Sequence, residues 1–273
     1  MISIIRFWVL LGSCFSIGSE MLAAGTPLQL RVLTYNIHHG EGTDGKVDLE
    51  RIAKVISAQQ PDLVALQEVD NRTWRTGGVD QTSELAKLTK LQGRFAKQID
   101  YEGGEYGQAI LSKHPIDDLK VHVLPGRPER EQRIAGVATI NVNDIKLSFA
   151  TTHLHHARGD LRLEQAVELN RLFQSQAQPS IVVGDMNAVP DEATTVELAK
   201  QWLLTRGEHE GATKLWTYPS IHPAKQLDYI AARPIAAWRI VEVRVVEEEL
   251  ASDHRPLLAV LELIAPYDKP HGD

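Results

Sequence analysis

The chain sets 29 Lys and Arg against 36 Asp and Glu over 273 residues, a formal net charge of −7, and contains one cysteine. That cysteine count excludes an intramolecular disulfide framework. The acidic balance opposes the basic footprint by which proteins hold nucleic acid phosphates, although a local basic strip remains compatible with it.

The chain begins MISIIR, continues through the apolar FWVLLGSCFSIG, and reaches small residues at Ala23, Ala24 and Gly25. This is the layout of a secretory signal, and the run is too short and interrupted for a membrane span. Residues 1–24 are therefore expected to be a leader, and 25–273 one domain, secreted or periplasmic. The stretch Leu11 to Cys14 also resembles a bacterial lipoprotein box, which would anchor the chain through Cys14. About 250 residues then remain, with neither linker nor repeat, enough for one large core.

Leu28 to Ile37 reads as a first strand ending at Asn36. Asp48 to Gln59 follows as a helix with Asp48 as N-cap, since Leu49, Ile52, Ala53 and Ile56 recur at helical spacing. Pro61 ends it. Leu63 to Leu66 reads as a short buried strand delivering Gln67 and Glu68, and Glu84 to Leu91 as a second helix. From Tyr106 to His153 the pattern is successive β segments, AILS, LKVHVL, IAGVATINV and IKLSFATTHL, with Asn143 and Asp144 as a hairpin turn. Leu161 to Gln176 is an amphipathic helix, Ile181 to Gly184 a strand, Glu192 to Leu203 a helix, and three late strands lie near Leu227, Val241 and Leu257. Hairpins together with strand–helix alternation, in two halves of similar layout, predict an α/β fold of two packed mixed sheets flanked by helices.

Polar residues close these apolar runs: Asn36 in TYNIHHG, Glu68 in LVALQEVD, His153 in TTHLHH, Asp185 and Asn187 in GDMNA, Asp228 in QLDYI, and Asp253 with His254 in SDHRP. Polar groups ending several strands converge on one rim of an α/β sheet, so these segments read as one active site. Carboxylates, amides and histidines gathered in this way suit hydrolysis assisted by a bound cation and a base. Carboxylate oxygens suit Mg²⁺ or Mn²⁺, which makes Glu68 and Asp253 the expected metal ligands. His254 is the expected base. Asp185 and Asn187, one residue apart, are expected on the same side of an extended segment, although Asp-x-Asn also forms turns. Arg133 opens a strand in EQRIAGVATI, and its guanidinium suits two phosphate oxygens; an ordinary exposed arginine fits the sequence equally.

In order and wording these motifs resemble the endonuclease/exonuclease/phosphatase superfamily, over about Leu30 to Leu263, and a secreted bacterial-type branch of it. The resemblance implies a four-layer α/β sandwich. It places Asn36 in the metal-binding area, Asp228 as partner of His254, and Asp185 as a competing base. It also implies that Asp185 and Asn187 orient the nucleophile and the phosphoryl oxygens, and that Arg133 contacts phosphate. His153 falls where the deoxyribonuclease branch has a histidine, which as an imidazolium would stabilise the transition state or protonate the leaving oxygen. Gln108 stands where asparagine is common and is left out of the catalytic set; His155 and His156 read as surface residues. Arg72 and Arg75 are expected at the entrance or paired with nearby acids. The expected activity is Mg²⁺- or Mn²⁺-dependent hydrolysis of a small-molecule or lipid phosphoester by activated water, without stable membrane insertion. A secreted nuclease is the alternative, and an inactive binding module is disfavoured because ligands, base and its aspartate are all present.

Overall fold

The computed structural model describes residues 27–206 and 214–264. The leader read in residues 1–24, with Cys14, lies outside the described residues. Those described form twelve strands and four α-helices in chain order: β1 (Leu28–Asn36), α1 (Leu49–Ala58), β2 (Leu63–Asn71), α2 (Gln81–Thr89), β3 (Gln92–Tyr101), β4 (Gly104–Ser112), β5 (Ile116–Val123), β6 (Ile134–Val142), β7 (Ile145–His153), α3 (Gly159–Gln174), β8 (Ser180–Asp185), α4 (Ala193–Ala199), β9 (Leu203–Leu204), β10 (Asp228–Arg233), β11 (Trp238–Val245) and β12 (Leu257–Leu263). Among these residues no helix is long and apolar enough to cross a membrane.

Two six-stranded sheets result, ordered β11-β12-β1-β2-β4-β3 and β5-β6-β7-β8-β10-β9. In each, one parallel pair, β1 with β2 or β7 with β8, sits inside antiparallel neighbours. The period-two alternation of a strand sorts side chains between layers. Val32 packs between the sheets with Ala65, Phe149, Ile181 and Ala259, whereas Leu33 and Tyr35 face α1 and α2. On the far side, Leu169 and Phe173 of α3 and Leu198 of α4 cover Val182 and Tyr229. The layers are thus helices, sheet, sheet, helices, as the sequence pattern and the resemblance implied.

Local chemistry matches several expectations. The Asp48 side chain accepts from the Arg51 backbone N–H and caps α1. Asn143 and Asp144 both adopt positive φ between β6 and β7, as a tight hairpin requires.

Other expectations are corrected. β2 does not stop at Leu66 but runs on to Asn71 through a bulge, because Gln67 and Glu68 together face a single residue of β4. β3 was not anticipated; it is an edge strand whose mixed burial leaves no clean alternation. α2 starts earlier, where Asp80 caps it. α4 ends at Ala199, and Leu203 and Leu204 pair instead with β10.

Candidate active site

The rim is built from strand ends of both senses. Asn36, His153 and Asp185 are the last residues of β1, β7 and β8. Asp228 was expected to end a strand, but it begins β10; because β10 runs antiparallel to β8, Asp228 lies in register with Asp185 at the same edge. Asp253 and His254 likewise precede β12, which is antiparallel to β1. The Ser252 hydroxyl donates to the Asn36 carbonyl at 2.7 Å and fastens that segment to the end of β1.

Below the rim a polar chain crosses between the sheets. Thr34 donates to the Gln67 Oε1, the Gln67 amide donates to Thr151 Oγ1 at 3.1 Å, and Thr151 donates to Gln108 Oε1 at 2.9 Å. All four residues are buried. Gln108 therefore belongs to the floor and ties the sheets together. A satisfied buried network of this kind fixes relative position.

Above that floor His254 sits between two carboxylates. Its Nδ1 lies 2.9 Å from Asp228 Oδ2 and its Nε2 3.7 Å from Asp185 Oδ2. Burial opposes charge on the ring, but Asp228 and Asp185 outweigh it, with help from Asp253, and hold the imidazolium up to about 10. Burial, with Asp228 second, pushes the Asp185 carboxyl up to about 7, against the pull of His254. The shared cluster thus keeps one proton on His254 at neutral pH. His153, whose Nε2 lies 3.6 Å from Asp185 Oδ2, is held well below its ordinary value by burial and then by Arg133. That shift disfavours the imidazolium expected from the resemblance.

Asn36 links the two halves of the site: its Nδ2 donates to Glu68 Oε1 at 2.9 Å and to Asp185 Oδ2 at 3.3 Å. The β2 bulge holds Glu68 at φ 58° and turns its carboxylate into the cleft. Two compact donor sets occur among the described residues, Asp185 with Asp228 and His254, and Glu68 with His38 and His39. Asp253 lines the same cleft but joins neither set. The site suits a divalent cation. The carboxylates of Glu68, Asp185 and Asp253 line the cleft, and Asp228, beside His254 Nδ1, has its Oδ1 buried without a partner. Oxygen donors of this kind fit Mg²⁺ or Mn²⁺.

Arg133 is only 2 % exposed, which settles against an ordinary surface arginine, and its Nε and Nη1 lack hydrogen-bond partners. Glu131, 3.4 Å away, is its ion-pair neighbour. A buried guanidinium that lines the cleft and has hydrogen-bonding capacity unused suits an anion. Asn187 is not on an extended segment: it has φ 49°, and its backbone N–H bonds Asp185 Oδ1 at 2.8 Å. The turn that the sequence left open is present, yet both side chains still line the cleft because the turn folds at its wall.

His155 is buried and accepts from the backbone N–H groups of Ala157 and Arg158 ahead of α3, whereas His156 reaches the cleft. Arg75 lines an adjoining cavity, and Arg72 lines neither. Sequence reading missed Tyr218, whose ring centroid lies 4.8 Å from that of His254, together with Lys225, Tyr106 and Glu131. None carries a local signal except Tyr106, next to Gly107. The cleft holds about 400 Å³.

Comparison with known proteins agrees with this fold. The model of the Endonuclease/Exonuclease/phosphatase family matches residues 33–254. The chain is 24% identical over 263 residues to nocturnin from Drosophila melanogaster, covering 84% of this chain and 41% of that protein. It is 26% identical over 161 residues to a 5'-tyrosyl-DNA phosphodiesterase from Caenorhabditis elegans, covering 56% of this chain and 41% of that one. The chain therefore spans about two-fifths of the length of these curated relatives. Among solved structures, a mannosyl-6-phosphatase from Bacteroides thetaiotaomicron superposes with a TM-score of 0.68 at 16% identity, over 85% of this chain and 99% of that one.

Proposed function

The chain belongs to the endonuclease/exonuclease/phosphatase family, and from that premise we propose that it is a divalent-metal-dependent phosphoric ester hydrolase acting on a small-molecule or lipid-derived phosphoester. The observation that carries this reading is the meeting, at one cleft, of the Arg133 guanidinium, whose Nε and Nη1 make no hydrogen bond, with the Asp185, Asp228 and His254 cluster. The first is a receptor for phosphoryl oxygens; the second holds and moves a proton.

The roles follow from the electrostatics. Arg133 binds the phosphoryl group, and Asn187 borders it. His254, fixed by Asp228 and carrying its proton, stabilises the charge that develops on the phosphoryl oxygens. The expectation that His254 is the base therefore gives way to Asp185, whose raised affinity for a proton near neutral pH suits it to accept one from the attacking water. Neutral His153 offers an N–H beside Asp185. Glu68 and Asn36, with Asp253 at the same rim, would hold Mg²⁺ or Mn²⁺. Such an ion supplies charge neutralisation and a more acidic water.

A mannosyl-6-phosphatase among the structural neighbours and a phosphodiesterase of tyrosyl-DNA among the relatives bracket the substrate classes. The net charge of −7 supports the small-substrate reading. Export, by a leader in residues 1–24 or by a lipid on Cys14, with residues 25–273 as the working domain, is part of the same proposal.

The test uses purified residues 25–273 with plasmid DNA, RNA, small phosphomonoesters, phosphodiesters and phospholipids, in Mg²⁺, Mn²⁺ or EDTA, with His254→Ala as the contamination control. Metal-dependent turnover of small or lipid substrates, abolished in the variant, is expected. Cleavage of DNA or RNA by the wild type alone would overturn the small-substrate reading in favour of a nuclease.

A further inference from the structure

Beside the catalytic cleft lies a second cavity of about 160 Å³, lined by Glu68, Arg75, Ile99, Tyr101, Tyr106 and Glu131. It shares Glu68, Tyr106 and Glu131 with the cleft. A group bonded to a phosphate held at Arg133 therefore has this cavity as its neighbour. At ~30 Å³ per water the volume equals about five waters, room for one sugar-sized ring and little more.

The chemistry of the walls is set by Arg75. Its Nε and Nη2 donate to the two oxygens of fully buried Asp70, both at 2.7 Å. Its guanidinium lies over the rings of Tyr101 and Tyr106, at 4.7 and 5.7 Å from their centroids. Arginine has five N–H donors, and the Asp70 clamp uses one face of the fork, so the remaining N–H groups serve the cavity. Glu131 supplies a carboxylate: Oε1 accepts from Gln98 and lies 3.4 Å from Arg133 Nη1, and Oε2 is left to face an occupant.

Each common class of occupant can be weighed against these walls. An anion meets Glu68 and Glu131, and the charge of Arg75 is already matched by Asp70. A cation meets Arg75, which itself occupies the aromatic faces that would cage an ammonium group. A planar base finds one face of each tyrosine already covered. An acyl chain would strand the guanidinium, carboxylate and phenol groups from water, at a cost. A hydroxyl-rich neutral group fits, because each hydroxyl both donates and accepts and so bridges the Arg75 N–H groups and the Glu131 carboxylate.

We propose that this cavity is the specificity pocket for the alcohol side of the substrate and takes a polyhydroxylated group, a monosaccharide or cyclitol, making the enzyme a sugar- or polyol-phosphate hydrolase. Arg75, Tyr106 and Glu131 select the substrate, and Asp70 positions Arg75. This rests on the hydrolase reading above and narrows its substrate.

Two measurements separate the failure of one from the failure of the other. The first is saturation-transfer NMR on metal-free wild type with methyl hexosides, myo-inositol, adenosine and choline, none of which carries a phosphate. Transfer to the polyols, lost in Glu131→Gln and Tyr106→Phe variants of unchanged melting temperature, is expected. Transfer to adenosine or choline in preference to the polyols overturns the proposal. The second compares kcat/KM for hexose phosphates and inositol phosphate with that for phenyl phosphate. The ratio is expected to fall at least tenfold in either variant, and a ratio unmoved in both overturns the assignment. If the wild type hydrolyses none of these esters with Mg²⁺ or Mn²⁺, the hydrolase reading fails, while the NMR experiment still decides what the pocket holds.

Discussion

Replacing Asp228 by Asn tests the electrostatic core of the site with almost no change of shape. His254 Nδ1 lies 2.9 Å from Asp228 Oδ2, both groups are buried, and the imidazolium is held up to about 10. A rise from 6.5 to about 10 corresponds to about 5 kcal/mol, at ~1.4 kcal/mol per tenfold change in proton affinity. Asn keeps a hydrogen bond, and Asp185 remains 3.7 Å from Nε2, so only part of that sum is at stake. We expect the variant to lose about 3 kcal/mol, the lower end for breaking one side of a buried pair.

The pH dependence carries the sign. The folded-state value of His254 lies above the unfolded one, so its stabilisation is complete below about pH 6.5 and is lost as pH rises through about 10. Urea denaturation of metal-free protein at pH 6.5, 8 and 10 should therefore show the largest gap between wild type and variant at pH 6.5 and little gap at pH 10. Nitrogen-15 spectra of the histidine rings should report a largely charged His254 in the wild type at pH 9, one unit below its value of about 10, and a largely neutral one in the variant. A gap that is constant with pH, or a neutral wild-type ring, would refute the shared-proton arrangement and return the base assignment to His254.

Three further outcomes follow from single contacts. Arg133→Met removes a buried guanidinium with two nitrogens that make no hydrogen bond; inhibition by inorganic phosphate should weaken by about 10- to 100-fold, the worth of one charged hydrogen bond, and an unchanged inhibition constant would remove Arg133 from the phosphate site. Glu68→Gln should weaken Mn²⁺ binding by about tenfold or more in calorimetry, because a carboxylate oxygen is the harder donor; an identical isotherm would take Glu68 out of the metal site. Gly184→Ala should abolish folding or cost more than about 4 kcal/mol by thermal denaturation, since Gly184 has φ 147° and an added Cβ would lie 1.9 Å from the Thr152 carbonyl oxygen; near-normal stability would mean that the close approach of β7 and β8 yields easily.

Most of the layer order was legible, because it follows from periodicity. Val32 and Leu33 take opposite sides of β1, and Asp48, Asn143 and Asp144 announce a cap and a turn by their own chemistry. What escaped was set by partners distant in sequence. β3 is an edge strand whose pattern makes sense only against β4, and the bulge at Gln67 and Glu68 exists only in relation to Gln108. The site shows the same division. The residue types of a metal-dependent hydrolase stand plainly in the chain, whereas Tyr218 and Glu131 reach the cleft from segments with no strand-end signature.

The misreading of Asp228 shows why direction matters more than proximity to an apolar run. A rule that looks for polar residues only at the carboxyl ends of strands assumes a parallel sheet. Here each sheet has one parallel pair, and the flanking strands run the other way, so the rim collects the last residues of β1, β7 and β8 and the first residues of the β10 and β12 segments. That mixture has a chemical consequence. Residues from a strand end and from an antiparallel strand start come into register as directly facing pairs, as Asp185 and Asp228 do. Two carboxylates placed opposite each other cannot both hold full charge in a buried site without a cation between or beside them. The topology that obscured Asp228 in the sequence is the same one that forces a proton onto the cluster, puts it on His254, and leaves Asp185 ready to take the next.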